Sequence, residues 1–196
     1  GKKIIQCSNT AELAVGFGRK VRNLVDSEQY AGMFPNVNLR QDSKAAGRWA
    51  TSGNGEYFAI GVGGTVTGKG ADLLIIDDPH SEQEAKLAAT DPSVFDSVYE
   101  WYTSGPRQRL QPGGSIVVIM TRWSKRDLVG RILKASIEKD GNDDWEIIED
   151  SIGGGNGYGK VVLDKVKREI IIMVSPLYCK VGLDEEGKKI FGFKEN

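Results

Sequence analysis

The sequence holds one histidine, two cysteines and almost no net charge, and each shortage removes a class of function. A single imidazole, His80, excludes a metal centre built from several histidines. Cys7 and Cys179 stand far apart and lack the spacing of a zinc site. No signal-peptide pattern is visible at the start, so a reducing compartment is expected. A net charge of -1 gives no overall pull toward nucleic acid, so any polyanion site must be a local patch. No apolar run is longer than that of Ile170 to Val174, far short of a membrane span. The 196 residues suffice for one domain with a real core and a small appendage. Gly1-Lys2-Lys3 leads straight into a strand pattern with no starting methionine, as in a fragment.

What the chain does have is Ala71-Asp72-Leu73-Leu74-Ile75-Ile76-Asp77-Asp78-Pro79-His80. An unbroken apolar run entered from a glycine-rich loop reads as a buried parallel strand. Open α/β sheets bind ligands at the carboxyl ends of such strands. Two adjacent carboxylates there oppose each other's ionisation, a cost that a divalent cation removes. In nucleotide hydrolases a strand-end carboxylate holds Mg²⁺ and a second acid orients the attacking water. A solvated turn explains the same residues, since Asp-Asp-Pro is good turn chemistry.

In chain order, Ile4 to Cys7 is a short strand. Asn9 is then expected to cap a helix from Thr10 to about Val25, with Glu12 as its partner. Leu13, Phe17, Val21 and Leu24 form its apolar face, leaving Arg19, Lys20 and Arg22 outward. Arg48 to Thr51 and Glu56 to Ile60 flank Ser52-Gly53-Asn54-Gly55 as a β-hairpin. Gly63 to Gly70 nearly matches a phosphate loop, but Gly70 replaces the required hydroxyl and the loop leads into a strand, not a helix. It is rejected as one. Ser81 opens a capping-box helix, and Asp91-Pro92 starts another that carries Val94, Phe95, Val98, Trp101 and Tyr102 as core. Gln111 to Gly114 break the chain before a second apolar strand, Ser115 to Met120, which ends in Thr121-Arg122-Trp123. Ser124 is expected to cap the next helix with Asp127 as partner, and Trp145 to Ile148 adds a strand. The alternation predicts an α/β fold with a mostly parallel sheet and flanking helices.

Gly64 to Pro79, followed by Met120-Thr121-Arg122-Trp123 and Asp127 to Leu133, resembles the ATPase domain of the large terminase subunit of tailed bacteriophages. The resemblance spans roughly residues 1–149 and implies a P-loop NTPase-like (ASCE, RecA-like) domain over 1–150. It implies that Asp77 is the Walker B metal carboxylate and that Asp78 takes the catalytic-acid place. Thr121 becomes the strand-end hydroxyl that senses the γ-phosphate, and Lys69 a finger toward a neighbouring subunit's nucleotide. Mg²⁺ is the implied cofactor and ATP the substrate. The implied partners are double-stranded DNA, a portal protein and a small terminase subunit, in a homo-oligomeric ring on the portal. The location is host cytoplasm, transiently docked on the procapsid, with no membrane.

The chain also departs from that family. The phosphate loop should precede Ile4, so the isolated chain is expected not to hydrolyse ATP and to gain stability once the upstream segment is restored. Residues 151–196 match no nuclease domain. They read as a glycine-rich linker, Ser151 to Gly159, and a β-rich extension in which 160–164 and 168–174 form a hairpin. His80 could link nucleotide state to a nucleic-acid site, as in superfamily-two helicases, although a surface-turn role is the simpler reading. Trp123 reads as packing. Arg107, Arg109, Arg122, Lys125, Arg126 and Arg131 could track DNA phosphates near the site's rim, or Arg122 is structural and the rest a solvated face. The competing functions are a superfamily-two helicase fragment and a non-catalytic DNA-binding or assembly module.

Overall fold

The computed structural model describes residues 1–138 and four later strands, Trp145–Glu149, Ile170–Val174, Cys179–Leu183 and Lys189–Phe193. The fold is α/β. It divides into two compact units, Gly1–Pro79 with Glu100–Val117 and His80–Tyr99 with Val118–Asn196.

In the first unit, β1 (Lys3–Ser8) is followed by α1 (Ala11–Val25) and α2 (Glu28–Met33). Then come β2 (Leu39–Ala45), β3 (Arg48–Thr51), β4 (Glu56–Gly61) and β5 (Ala71–Asp77). A later strand, β6 (Leu110–Met120), begins here, and the six stand in the order β2-β3-β4-β1-β5-β6. The centre is parallel, with β1 paired to β4 on one side and to β5 on the other, and Ile5 and Cys7 of β1 and Leu74 and Ile76 of β5 are buried. The expected hairpin is present, with β3 antiparallel to β4 and β2 added outside β3. Asn54 at its tip takes a φ of 60°, which asparagine tolerates. The second apolar strand starts earlier than the sequence suggested. Gln111, Pro112 and Gly113 belong to β6, with Pro112 exposed and Gly113 at a φ of 78°.

Helix α1 packs differently from the expectation. Ala14 and Gly18 are buried, whereas Leu13, Val21 and Leu24 are 43%, 40% and 58% exposed. The small face wins because the sheet comes so close. A Cβ on Gly18 would lie 2.6 Å from the Ala46 carbonyl oxygen and 2.8 Å from the Tyr57 ring. The Trp49 indole donates to the Gly18 carbonyl at 3.2 Å and stacks on Tyr57 with centroids 4.9 Å apart. Ala14, Val25, Leu39, Trp49, Tyr57 and Ala59 form this core. The helix cap is Thr10, not Asn9: the Thr10 hydroxyl accepts from the Leu13 N–H at 3.2 Å.

In the second unit, α3 (Glu82–Leu87) opens with the expected capping box of Ser81 and Glu84. Asp91 caps the 3₁₀ turn Pro92–Phe95, and α4 (Asp96–Ser104) continues from it, its last turn belonging to the first unit. Phe95 and Val98 are buried as core. α5 (Leu128–Glu138) follows. Its cap is Asp127, which accepts from the Gly130 N–H at 2.8 Å, while Ser124 lies in the preceding turn and accepts from the Arg126 N–H at 3.1 Å. β7 (Trp145–Glu149) and β8 (Ile170–Val174) pair in parallel. The expected hairpin partner of β8, 160–164, lies outside the described residues, as does the glycine-rich 151–159. β9 (Cys179–Leu183) and β10 (Lys189–Phe193) form an antiparallel pair where the sequence suggested only a polar end.

Candidate functional site

The site is built where β1 and β5 end. Parallel pairing sets Ser8 in register with Asp77, and with Gly61 on its other side. Partners in register project to the same face of a sheet, so Ser8 and Asp77 share one face. Asp77 is partly buried, and its pKa is pushed up to about 6, first by burial and then by the charge of Asp78. Asp78 is exposed and takes a φ of 42°, a left-handed conformation that costs a residue with a Cβ. That turn is held from β1's side. The Asn9 N–H donates to the Asp78 carbonyl and the Asn9 side-chain amide to the Pro79 carbonyl, both at 3.2 Å.

Ser8 and Asn9 are the site residues that sequence reasoning misses. Their signal is a pair of polar residues where an apolar strand ends, Ser8 closing β1 and Asn9 following it, but a helix cap explains Asn9 equally well. Ser8 is fully buried, and its hydroxyl has no hydrogen-bond partner.

Lys69 does not join these residues. It precedes β5, at the amino edge of the parallel strands, where its ammonium lies 3.4 Å from Glu56 at the start of β4. The length of β5 separates it from Asp77, roughly 20 Å at the usual rise per strand residue. The glycine loop that carries it leads into β5, not a helix, in agreement with its rejection as a phosphate loop.

The six basic residues divide between the units. Arg107 and Arg109 lie in the 3₁₀ turn Pro106–Arg109 ahead of β6, whose Gln111 packs against Gly70 at the amino edge, on the side of Lys69. Arg122, Lys125, Arg126 and Arg131 belong to the second unit. Arg122 is 3% exposed and pairs with the fully buried Asp127 at 2.9 Å, which turns its guanidinium inward, away from any phosphate backbone. The Asp127 carboxylate also accepts from the Trp123 N–H at 2.8 Å and the Ser124 N–H at 3.0 Å, tying the segment after Thr121 to the start of α5. Arg126 and Arg131 both pair with Asp96, and the Arg131 guanidinium lies 4.5 Å from the Tyr99 ring centroid. Thr121 is partly buried just after β6, and Trp123 is 36% exposed, more open than a packing role predicts.

His80 is not a surface-turn residue. It is 6% exposed, its Nε2 accepts from the Leu128 N–H at 2.9 Å, and its ring stands edge-on to Phe95 at 4.6 Å. Burial lowers its pKa, against the opposing charges of Asp127 and Glu84. Cys7, buried in β1, has its thiol pushed up to about 12 by burial, which makes it a packing residue and not a nucleophile.

No protein-family model matches the chain, and no curated protein matches it. The donor set at the β1–β5 edge can nevertheless be compared with the chemistry of a cation. It offers two adjacent carboxylates, one of them held up in pKa by burial and its neighbour, and a buried hydroxyl that lacks a partner. All are hard oxygen donors, which suits Mg²⁺. Among the described residues no cluster of three or more His, Cys, Asp or Glu could hold a metal ion. Among the described residues no helix is long and apolar enough to cross a membrane.

Proposed function

We propose that this chain is part of an ATP-hydrolysing motor of the terminase large-subunit kind, which drives double-stranded viral DNA into a procapsid. The observation that carries the reading is the end of β5. A parallel strand at the centre of an α/β sheet delivers Asp77, partly buried with a raised pKa, and then Asp78 turned out of the strand into solvent. In this reading Asp77 holds Mg²⁺, and Asp78 orients the water that attacks the γ-phosphate of ATP. The bound ion would neutralise charge on the phosphates. Burial of Asp77 beside a second carboxylate gives the protein a reason to take up a divalent cation, and the exposure of Asp78 lets that carboxylate meet water.

Thr121 is assigned to sensing the γ-phosphate, with the turn held by Arg122 and Asp127 carrying its displacement into α5. Lys69, distant from its own chain's Asp77 and at the opposite edge, fits a role toward a neighbouring subunit in a ring better than one at its own site. Arg107 and Arg109, with the exposed Lys125 and Arg126, are the basic residues assigned to DNA phosphates. A portal protein and a small terminase subunit are the proposed partners, with assembly on the procapsid in host cytoplasm.

The test is Mg²⁺-dependent ATP hydrolysis and nucleotide binding in the complete gene product, with Asp78→Asn as the comparison. Orienting water matters only in the transition state, so the variant should lose turnover and keep its nucleotide affinity. Equal losses of rate and affinity, or undiminished turnover, would contradict the assignment.

A further inference from the structure

From Ser8 comes an inference that rests on the reading of Asp77 as a cation-holding carboxylate. A buried polar atom without a partner is unusual in a folded protein and calls for a reason, whether strain, an unseen water or ion, or a role in chemistry. The Ser8 hydroxyl is such an atom: the residue is fully buried and its Oγ is unpaired. Its surroundings narrow the reason. Of its two partners in register, Gly61 offers no side chain. Where a Gly61 Cβ would stand, the Ala11 backbone nitrogen lies 2.4 Å away, so the start of α1 roofs that side. The other partner is Asp77, on the same face. The one polar side chain beside Ser8 in register is therefore the carboxylate with the raised pKa.

We infer that Ser8 is a positioning residue of the Asp77 site. When a divalent cation is bound, its hydroxyl donates a hydrogen bond to the oxygens gathered around that cation and so fixes the orientation of the Asp77 carboxylate. Loss of a supporting group of this kind typically weakens metal binding by about tenfold or more. A serine needed only for packing would be replaceable by alanine, which would remove an unpaired polar atom and improve stability.

The experiment measures binding of Mn²⁺ alone to the chain, from the electron paramagnetic resonance signal of the free ion, for wild type, Ser8→Ala, Ser8→Thr and Asp77→Asn. Circular dichroism confirms that each variant is folded. The expected result is saturable binding by wild type that Asp77→Asn abolishes and Ser8→Ala weakens about tenfold, with Ser8→Thr close to wild type. Three results would overturn the inference. If Asp77→Asn removes binding while Ser8→Ala leaves it unchanged, Ser8 has no part in the site and the Asp77 assignment stands. If Ser8→Thr weakens binding as much as Ser8→Ala does, shape and not the hydroxyl is what matters. If wild type shows no binding that depends on Asp77, the reading of Asp77 fails and the role of Ser8 goes with it.

Discussion

The side-chain amide of Asn9 donates to the backbone carbonyl of Pro79 at 3.2 Å and joins two strand ends that lie 70 positions apart in sequence. Between them stands Asp78 with its φ of 42°. Aspartate, like asparagine, tolerates a left-handed conformation at some cost, and residues held in it by their neighbours gather at functional sites. Asn9→Ala should therefore lower stability by about 1 kcal/mol, the net worth of one hydrogen bond. In an Asp78→Gly background the loss should be smaller, because glycine takes this φ without a clamp. Urea unfolding of the two single variants and the double variant measures the coupling. An equal cost in both backgrounds would show that the clamp and the strain are unrelated.

Asp77 should make the protein less stable as pH rises. Its pKa of about 6 in the folded chain stands above the ordinary 3.8. A carboxyl raised in this way contributes its full stabilisation below the unfolded value and loses it as pH rises through the folded value. Asp77→Asn should match wild type near pH 4. By pH 7 it should be more stable by about 1 kcal/mol, after allowing for the screening of a group that is only partly buried. Urea unfolding of both proteins across that range is the measurement. A variant that is less stable at pH 7 would mean that the ionised carboxylate is favourably held in the free protein.

His80 works in the opposite direction. Burial holds its pKa below the ordinary 6.5, so its contribution is intact above that value and is lost as pH falls below it. Protonation would also place a hydrogen on Nε2, which now accepts from the Leu128 N–H. Between pH 6.5 and pH 5, wild type should lose stability relative to His80→Gln, whose amide oxygen can still accept. Thermal unfolding over this interval reads the difference. Because Asp77 gains stability in the same interval, each residue must be followed through its own variant; parallel curves for wild type and His80→Gln would remove the histidine from the account.

The elements that can be read in the sequence are those whose signal is local. The apolar run into Asp77, the β3–β4 hairpin around Asn54 and the capping box at Ser81 each depend on residues within a few positions of one another. Where the reading fails, the deciding contact is distant. Hydrophobic periodicity picks out Leu13, Val21 and Leu24 on α1, but it cannot register that Gly18 allows Tyr57 and Trp49 to approach the other face. Asn9 looks like a cap because its bond to Pro79 is invisible without the pairing of β1 and β5. The same pairing sends Lys69 to the edge away from Asp77, though it stands only eight positions earlier in the chain.

The turn after β6 should depend on Arg122 and Asp127 as a unit. Asp127 is fully buried and accepts hydrogen bonds from the Arg122 guanidinium and from the backbone N–H groups of Trp123, Ser124 and Gly130. Removing one member of a buried ion pair leaves the other charge uncompensated, at a cost of about 3–5 kcal/mol. Arg122→Met and Asp127→Leu should each destabilise by that order, with Asp127→Leu the worse because it also abandons three backbone donors. The double variant should cost less than the sum, since neither charge is then stranded. Gly130→Ala is a separate probe of the same turn. An added Cβ would lie 2.3 Å from the Lys125 carbonyl oxygen, so the turn would have to open even with both charges in place. If the ion pair serves the turn's shape, Gly130→Ala should weaken the pair, and Arg122→Met should then cost less in the Gly130→Ala background than in wild type. Urea unfolding across this set decides it: strictly additive costs would mean that the Arg122–Asp127 pair and the turn at Gly130 are independent features.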